Sequence, residues 1–195
     1  MIWKQSTLVG CLYILWIHKM KTKIIQLATN LAQKYGLNAF SYSDLAKEIG
    51  IAKASIHHYF PAKNDLAREI LIQYSAKFMA QLPSPEQSSE IRLKVYIELF
   101  NQVAQTQDKI CLCMMYASDF MTISSDTQQQ VQDFYQKNET WLAQLFIANN
   151  DNIENAQAKS QLLFSQLQGL LVRSRLMHDT KQFHNLAQQI IRLYL

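Results

Sequence analysis

Glycine and proline are scarce in this chain, 4 and 3 of 195 residues. Folds made of many short strands need both at their turns, so sandwiches and barrels fit poorly. The abundance of Leu, Ile, Ala, Gln and Lys favours an all-α protein. The three cysteines, Cys11, Cys111 and Cys113, form neither an even disulfide framework nor paired zinc spacing, and they suit a reducing cytoplasm. Long apolar runs are missing as well. Leu8–Ile17 is apolar apart from Gly10, but its ten residues fall short of the about 20 that a membrane helix needs. Strand-like alternation, tandem repeats and low-complexity segments are absent.

What is present is a chain long enough for one large domain or two modest ones, with a net charge of +4 that is unevenly spread. Residues 20–82 hold 8 Lys+Arg against 4 Asp+Glu, whereas residues 83–195 hold 9 against 11. A basic N-terminal half is what phosphate binding asks for.

Within that half, Ser41–Lys63 (SYSDLAKEIGIAKASIHHYFPAK) reads as two short helices joined by a tight turn. Ser41, with Asp44 three residues on, satisfies free N–H groups at a helix start. Leu45, Ala46 and Ile49 share one face, and Gly50 supplies the C-terminal cap. Ala52–Phe60 is the second helix, with Ile56 and Tyr59 or Phe60 inward and Lys53, Ala54, Ser55, His57 and His58 outward. This is the pattern of a helix-turn-helix, whose second helix enters the DNA major groove.

The remaining helices follow from apolar spacing. They are Met20–Tyr35; a long helix from Pro61 to about Leu82; Ile91 to about Thr106; an apolar helical stretch from Asp108 to Phe120; Gln130–Asn149 after a loop and cap at Ser124–Asp126; Ile153 to about His178; and Phe183–Leu195. Lys21, Lys23 and Lys34 lie at the ends of the first, either reaching toward a phosphate backbone or lying on a solvated face. Pro83-Ser84-Pro85 breaks the chain where the charge changes sign. The expected organisation is therefore an extension at 1–19, a DNA-binding unit at 20–66, a connecting helix at 67–82 and a helical domain at 83–195. The extension has three open readings: a stretch upstream of a working start at Met20, an extra packed helix, or a membrane tether.

Gly36, Ser41, Asp44, Leu45-Ala46, Gly50-Ile51, Lys53, Ser55-Ile56, Tyr59-Phe60 and Lys63 through Leu66 stand where the pattern of the TetR/AcrR family of transcriptional regulators places them. The chain resembles that family from roughly Met20 to Leu82, and the run Tyr-Phe-Pro-Ala-Lys-Asn-Asp-Leu carries most of the resemblance. The resemblance implies a cytoplasmic homodimer that places two recognition helices on a near-palindromic double-stranded DNA operator and is released by a small-molecule effector held in the C-terminal domain. By the same analogy Lys53, Ala54, Ser55 and His57 face base edges, while Ser41, His58, Tyr59 and Lys63 approach phosphates. Ala54 and His57 depart from the glycine and tyrosine frequent in the family.

In the second half, Tyr96, Phe100, Met114, Met115, Phe120, Trp141, Phe164 and Gln168 are candidates to line an apolar effector pocket. Leu163, Leu167, Leu170, Leu171, Leu186 and Ile190 are candidates for a helical dimer interface, and intrachain packing explains them equally well. Cys111 and Cys113 lie two apart on a helix and point to different sides, leaving open a thiol sensor and a pair of small buried hydrophobes. A helical enzyme would need a nucleophile–base pair such as a cysteine with His178 or His184. No catalytic set, cofactor or metal site is expected, because the adjacent His57 and His58 point about 100° apart and chelate poorly.

Overall fold

The computed structural model describes residues 3–106 and 108–195, with side chains from Trp16 onward. Among these residues every regular element is helical. The order is α1 (Trp3–Tyr35), a 3-10 turn (Leu37–Ala39), α2 (Tyr42–Ile49), α3 (Lys53–Tyr59), α4 (Lys63–Met79), α5 (Ser89–Ala104), α6 (Leu112–Ser118), a second 3-10 turn (Phe120–Thr122), α7 (Ser125–Ala148), α8 (Ile153–Met177) and α9 (Thr180–Tyr194). Helices α1 to α3 form the helix-turn-helix unit, and the helices from α4 onward build a larger helical body.

Helix α1 passes through Met20 without a break. The side chains of residues 1–15, Cys11 included, lie outside the described residues, and so do the expectations attached to the apolar stretch. No described helix is long and apolar enough to cross a membrane.

Several helix boundaries differ from the sequence reading, and for two of them the local reason is plain. Helix α6 begins at Leu112 rather than near Asp108, because both backbone groups of Ile110 are engaged elsewhere. Its N–H donates to the Gln33 carbonyl, and its carbonyl accepts from Gln33 Nε2, both at 3.3 Å. Helix α7 begins five residues early, at Ser125, with Asp126 in the first turn, where a negative charge complements the helix dipole.

The body is centred on Phe78, Tyr96, Phe100, Phe134 and Phe164, whose rings meet edge-on or tilted at centroid separations of 5.4 to 6.2 Å. Such contacts add about 0.5–1.5 kcal/mol per pair beyond area burial. The one polar group in this cluster is satisfied: the Tyr96 hydroxyl donates to Asn138 Oδ1 at 2.8 Å, and Asn138 Nδ2 donates to the Phe134 carbonyl at 2.7 Å. The position of the helix-turn-helix against this body is set at the end of α1.

Candidate nucleic-acid interface and its link to the body

The local sequence builds α2 and α3 as expected. The Ser41 hydroxyl and the Asp44 carboxylate form a reciprocal cap, with Asp44 Oδ2 accepting the Ser41 N–H at 2.7 Å and Ser41 Oγ accepting the Asp44 N–H at 3.3 Å. Bonds from Ser41 hold the Asp44 carboxyl below the usual carboxylate range. Gly50, at φ +80°, turns the chain out of α2, and its N–H and that of Ile51 both donate to the Ala46 carbonyl. Leu45 and Ile56, both fully buried, seat the two helices against each other. Burying such a side chain contributes about 1.5–3 kcal/mol.

Tyr42, the residue after the cap, is central to the unit, and the sequence alone does not single it out. Its buried hydroxyl lies 3.0 Å from the Phe60 carbonyl and 2.7 Å from the Ala62 carbonyl, tying the start of α2 to the link between α3 and α4. Burial, with Asp65 nearby, pushes this phenol up to about 12. On its outer side the Tyr42 ring meets His57 edge-on at 4.7 Å, and His57 Nδ1 lies 3.3 Å from the Pro61 carbonyl. His57 is thereby held in one orientation on the surface. The only sequence signal for Tyr42 is its large apolar body between two serines at a helix start.

Of the four residues expected at base edges, Lys53, Ala54 and His57 are exposed and Ser55 is half-buried, so the outward face of α3 carries an ammonium, a methyl, a hydroxyl and an imidazole. The helix contains no carboxylate. The four residues expected at phosphates are less alike. Ser41 is exposed but occupied in its cap, and His58 is exposed with its ring against Tyr59 at 5.7 Å. Tyr59 is half-buried. Lys63 donates to the Phe40 carbonyl and stands 4.7 Å over the Phe40 ring. Burial lowers its ammonium pKa, opposed by the charges of Asp119 and Asp44. Lys21, Lys23 and Lys34 each have an intrachain partner: Glu69 at 3.5 Å, the Ile49 carbonyl at 3.4 Å and Asp108 at 3.2 Å.

The helix-turn-helix is latched to the body around the α1–α2 corner. Gly36, at φ +92°, turns the chain there, with Met115 Cε and Asp119 Oδ2 3.5 and 3.6 Å from where a β-carbon would stand. Asp119 Oδ2 accepts the Leu37 N–H at 3.1 Å, and Asn38 Nδ2 donates to Thr122 Oγ1 at 3.0 Å. Arg175, at the end of α8, donates to the Lys34 carbonyl at 2.7 Å.

In the body, the residues expected to line an effector pocket separate into groups. Tyr96, Phe100 and Phe164 fill the aromatic core, and Trp141 stacks on Tyr96 at 5.4 Å and 14°. Met115 instead reaches the Gly36 corner, and Phe120 sits in the second 3-10 turn, where its carbonyl accepts from Gln128. Met114 is half-buried in α6, one residue from Cys113. Gln168 is buried with neither amide atom in hydrogen-bond geometry with a partner.

Cys111 and Cys113 are 2% and 0% exposed, so neither thiol reaches solvent. The Tyr74 hydroxyl stands 3.7 Å from Cys111 Sγ. The adjacent Cys113 thiol, with smaller help from the Met114 N–H and Tyr74, draws Cys111 below the usual thiol range against the effect of burial; burial pushes Cys113 up.

Of the leucines and isoleucine expected at a dimer interface, Leu163, Leu167, Leu171 and Ile190 pack inside the chain, and only Leu170 and Leu186 are half-exposed. The outward large apolar residues of α8 and α9 are Ile153, Leu162, Leu176, Met177 and Leu193.

Comparison with known proteins converges on the same unit. Residues 24–70 match the model of bacterial regulatory proteins, tetR family. The HTH-type transcriptional regulator BetI of Vibrio campbellii is 33% identical over 98 residues, covering 44% of this chain and 49% of BetI, so the match spans about half of that relative's length. A TetR transcriptional regulator from Legionella pneumophila superposes with a TM-score of 0.82 at 28% identity, covering 89% of this chain and 96% of the other. A TetR-family regulator from Agrobacterium tumefaciens shares the fold at 0.83 and 24% identity, over 91% and 98% of the two chains. With the capped helix-turn-helix, the family match across its residues and the likeness of nearly the whole chain in hand, residues 24–70 form a DNA-binding unit of the tetR family of bacterial regulatory proteins, and the chain around it has the fold of TetR transcriptional regulators.

Proposed function

We propose that this chain is a sequence-specific repressor that binds a near-palindromic operator as a cytoplasmic homodimer and leaves it when a small molecule binds the helical body. The observation that carries the DNA reading is the outward face of α3, where Lys53, Ala54, Ser55 and His57 stand together with no carboxylate among them. Lysine donates to guanine O6 and N7, a serine hydroxyl and an imidazole can donate or accept, and the alanine methyl meets a thymine methyl. Ser41, His58, Tyr59 and Lys63 ring this face and take the phosphates. Lys63 exchanges its Phe40 carbonyl for a phosphate oxygen as the duplex arrives.

Dimer formation falls to the outer face of α8 and α9. Leu162, Gly169 and Leu176 repeat at seven-residue steps along α8, the two leucines 58% and 72% exposed, and Leu193 on α9 is 75% exposed. Apolar residues at that spacing form a seam for a second helix. The half-exposed Leu170 and Leu186 flank it.

The experiment is selection of bound fragments from random and genomic DNA by the purified chain at low salt. Enrichment of an inverted repeat with half-sites about one helical turn apart is the expected outcome. Retention of all sequences alike would remove the operator reading.

A further inference from the structure

A cleft of about 620 Å³ opens between α1, α4 and α5, within the range of about 300–1,000 Å³ typical of small-molecule sites. None of the eight residues expected from the sequence to line an effector pocket borders it. Its apolar surface comes from Ile25 on α1, from Ile70, Tyr74 and Phe78 on α4, and from Leu99 and Val103 on α5. Around that surface stand amide side chains, among them Gln26, Gln73 and Gln102, and two lysines, Lys77 and Lys109; among the described residues no Asp or Glu lines the cleft.

The charge is one-sided and unneutralised. Glu69 and Asp108, each next to a lining residue in sequence, are already paired with Lys21 and Lys34. Among the described residues Lys109 has only a neutral partner, donating to Asn30 Oδ1 on α1 at 2.7 Å. Burial and the neighbouring charge of Lys34 both disfavour its charged form. An ammonium in that setting gains from an anion more than a fully hydrated lysine does.

The geometry points to an effector site for an amphipathic carboxylate, its head group on Lys109 and Lys77 and its apolar body on the surface between Ile25, Tyr74, Phe78 and Val103. This deepens the proposal of release by a small molecule, and its regulatory half rests on that proposal. A carboxylate that takes the Lys109 ammonium from Asn30 removes a contact between α1 and the body, and the ligand body occupies the space between α1 and α4–α5. Helix α1 also holds the helix-turn-helix, through Lys23 on the Ile49 carbonyl and Lys21 5.6 Å over the Phe60 ring. Displacing α1 therefore displaces α2 and α3. By linkage, whatever factor the ligand takes from operator affinity, the operator takes from ligand affinity.

The test is titration calorimetry of the full chain with decanoate below its micellar concentration, alongside decylamine as the same tail with a cationic head. Decanoate is expected to bind and decylamine not to bind. Lys109→Gln should weaken decanoate about tenfold or more, the scale of one charge-assisted contact, while Lys109→Arg retains binding. Val103→Trp, which fills the cleft and leaves its charge intact, should abolish binding. Circular dichroism melts establish that each variant is folded. Absence of decanoate binding to the wild-type chain overturns the site, as does binding untouched by both Lys109→Gln and Val103→Trp. DNA anisotropy on the same samples separates the two readings. Operator binding without decanoate binding removes the cleft site alone, and decanoate binding with the stated variant dependence but no DNA binding removes the repressor reading alone.

Discussion

Asp119 Oδ2 accepts the backbone N–H of Leu37 at 3.1 Å, so a carboxylate of the body holds the turn that leads into the DNA-binding helices. The same oxygen lies 3.6 Å from where a β-carbon on Gly36 would stand. Replacing Asp119 with alanine leaves a partly buried N–H without its acceptor, at a cost of about 1–2 kcal/mol. The expected result is a lower urea midpoint and faster hydrogen exchange at Leu37. Unchanged exchange there would show that the corner is held by other contacts.

Tyr42→Phe removes the hydroxyl shared by the Phe60 and Ala62 carbonyls. A loss of about 1–2 kcal/mol is expected, and DNA affinity should fall for all sequences alike because the frame of the motif loosens. The loss should also depend on pH. The Tyr42 phenol titrates near 10.0 when free and about 12 in the folded chain, so above pH 10 the unfolded state releases the proton first and binds fewer protons than the native state. Stability therefore falls as pH rises from 10 to about 12. The difference in denaturation midpoint between wild type and Tyr42→Phe should shrink across that window, and a constant difference would contradict the assignment.

Lys53 and Lys63 should differ in kind. Lys53→Ala is expected to cost about 1–3 kcal/mol on the preferred operator and to relax preference at one base position. Lys63→Ala should weaken binding evenly and reduce the salt dependence of the association constant by about one phosphate contact. Selection of bound sequences by each variant, with affinities over a salt series, reads both effects. If both variants retain wild-type affinity, α3 does not dock as proposed.

Leu162→Arg with Leu176→Arg places two charges on the outer seam of α8. Sedimentation is expected to show monomers at concentrations where the wild-type chain is dimeric. The double variant should keep its helix content, since both side chains are exposed. Leu163→Arg, by contrast, should unfold the chain, because that residue is fully buried.

These residues also show which features are local enough to read from sequence. Ser41, Asp44 and Gly50 act through their own backbone neighbourhood, so the cap and the turn are legible in the residues alone. Ile56 and Leu45 are legible because apolar spacing on a short amphipathic helix leaves one inward face. Helix α8 offers no such contrast: Leu162, Leu163, Leu167, Leu170, Leu171 and Leu176 cover more than one face, and nothing local tells which face meets the body and which is free. The aromatic residues expected to surround a ligand instead close on one another, because rings with complementary edges fill space as readily as they enclose it. The α1–α4–α5 cleft is invisible in the sequence for the opposite reason. Gln26, Gln73 and Gln102 read as solvated surface, and only the packing of three helices makes them walls.

Helix α1 carries contacts to the DNA-binding helices at Lys21 and Lys23 and faces the cleft at Thr22, Ile25 and Gln26, neighbouring positions along the same rod. A signal that enters at the cleft thus crosses no flexible tether and asks no segment to melt or to order. The response would be a tilt of an intact helix, with little change in heat capacity beyond the apolar area that the ligand itself covers. Its speed would be set by ligand arrival and by rigid-body motion on the microsecond-to-millisecond scale, rather than by slower local unfolding.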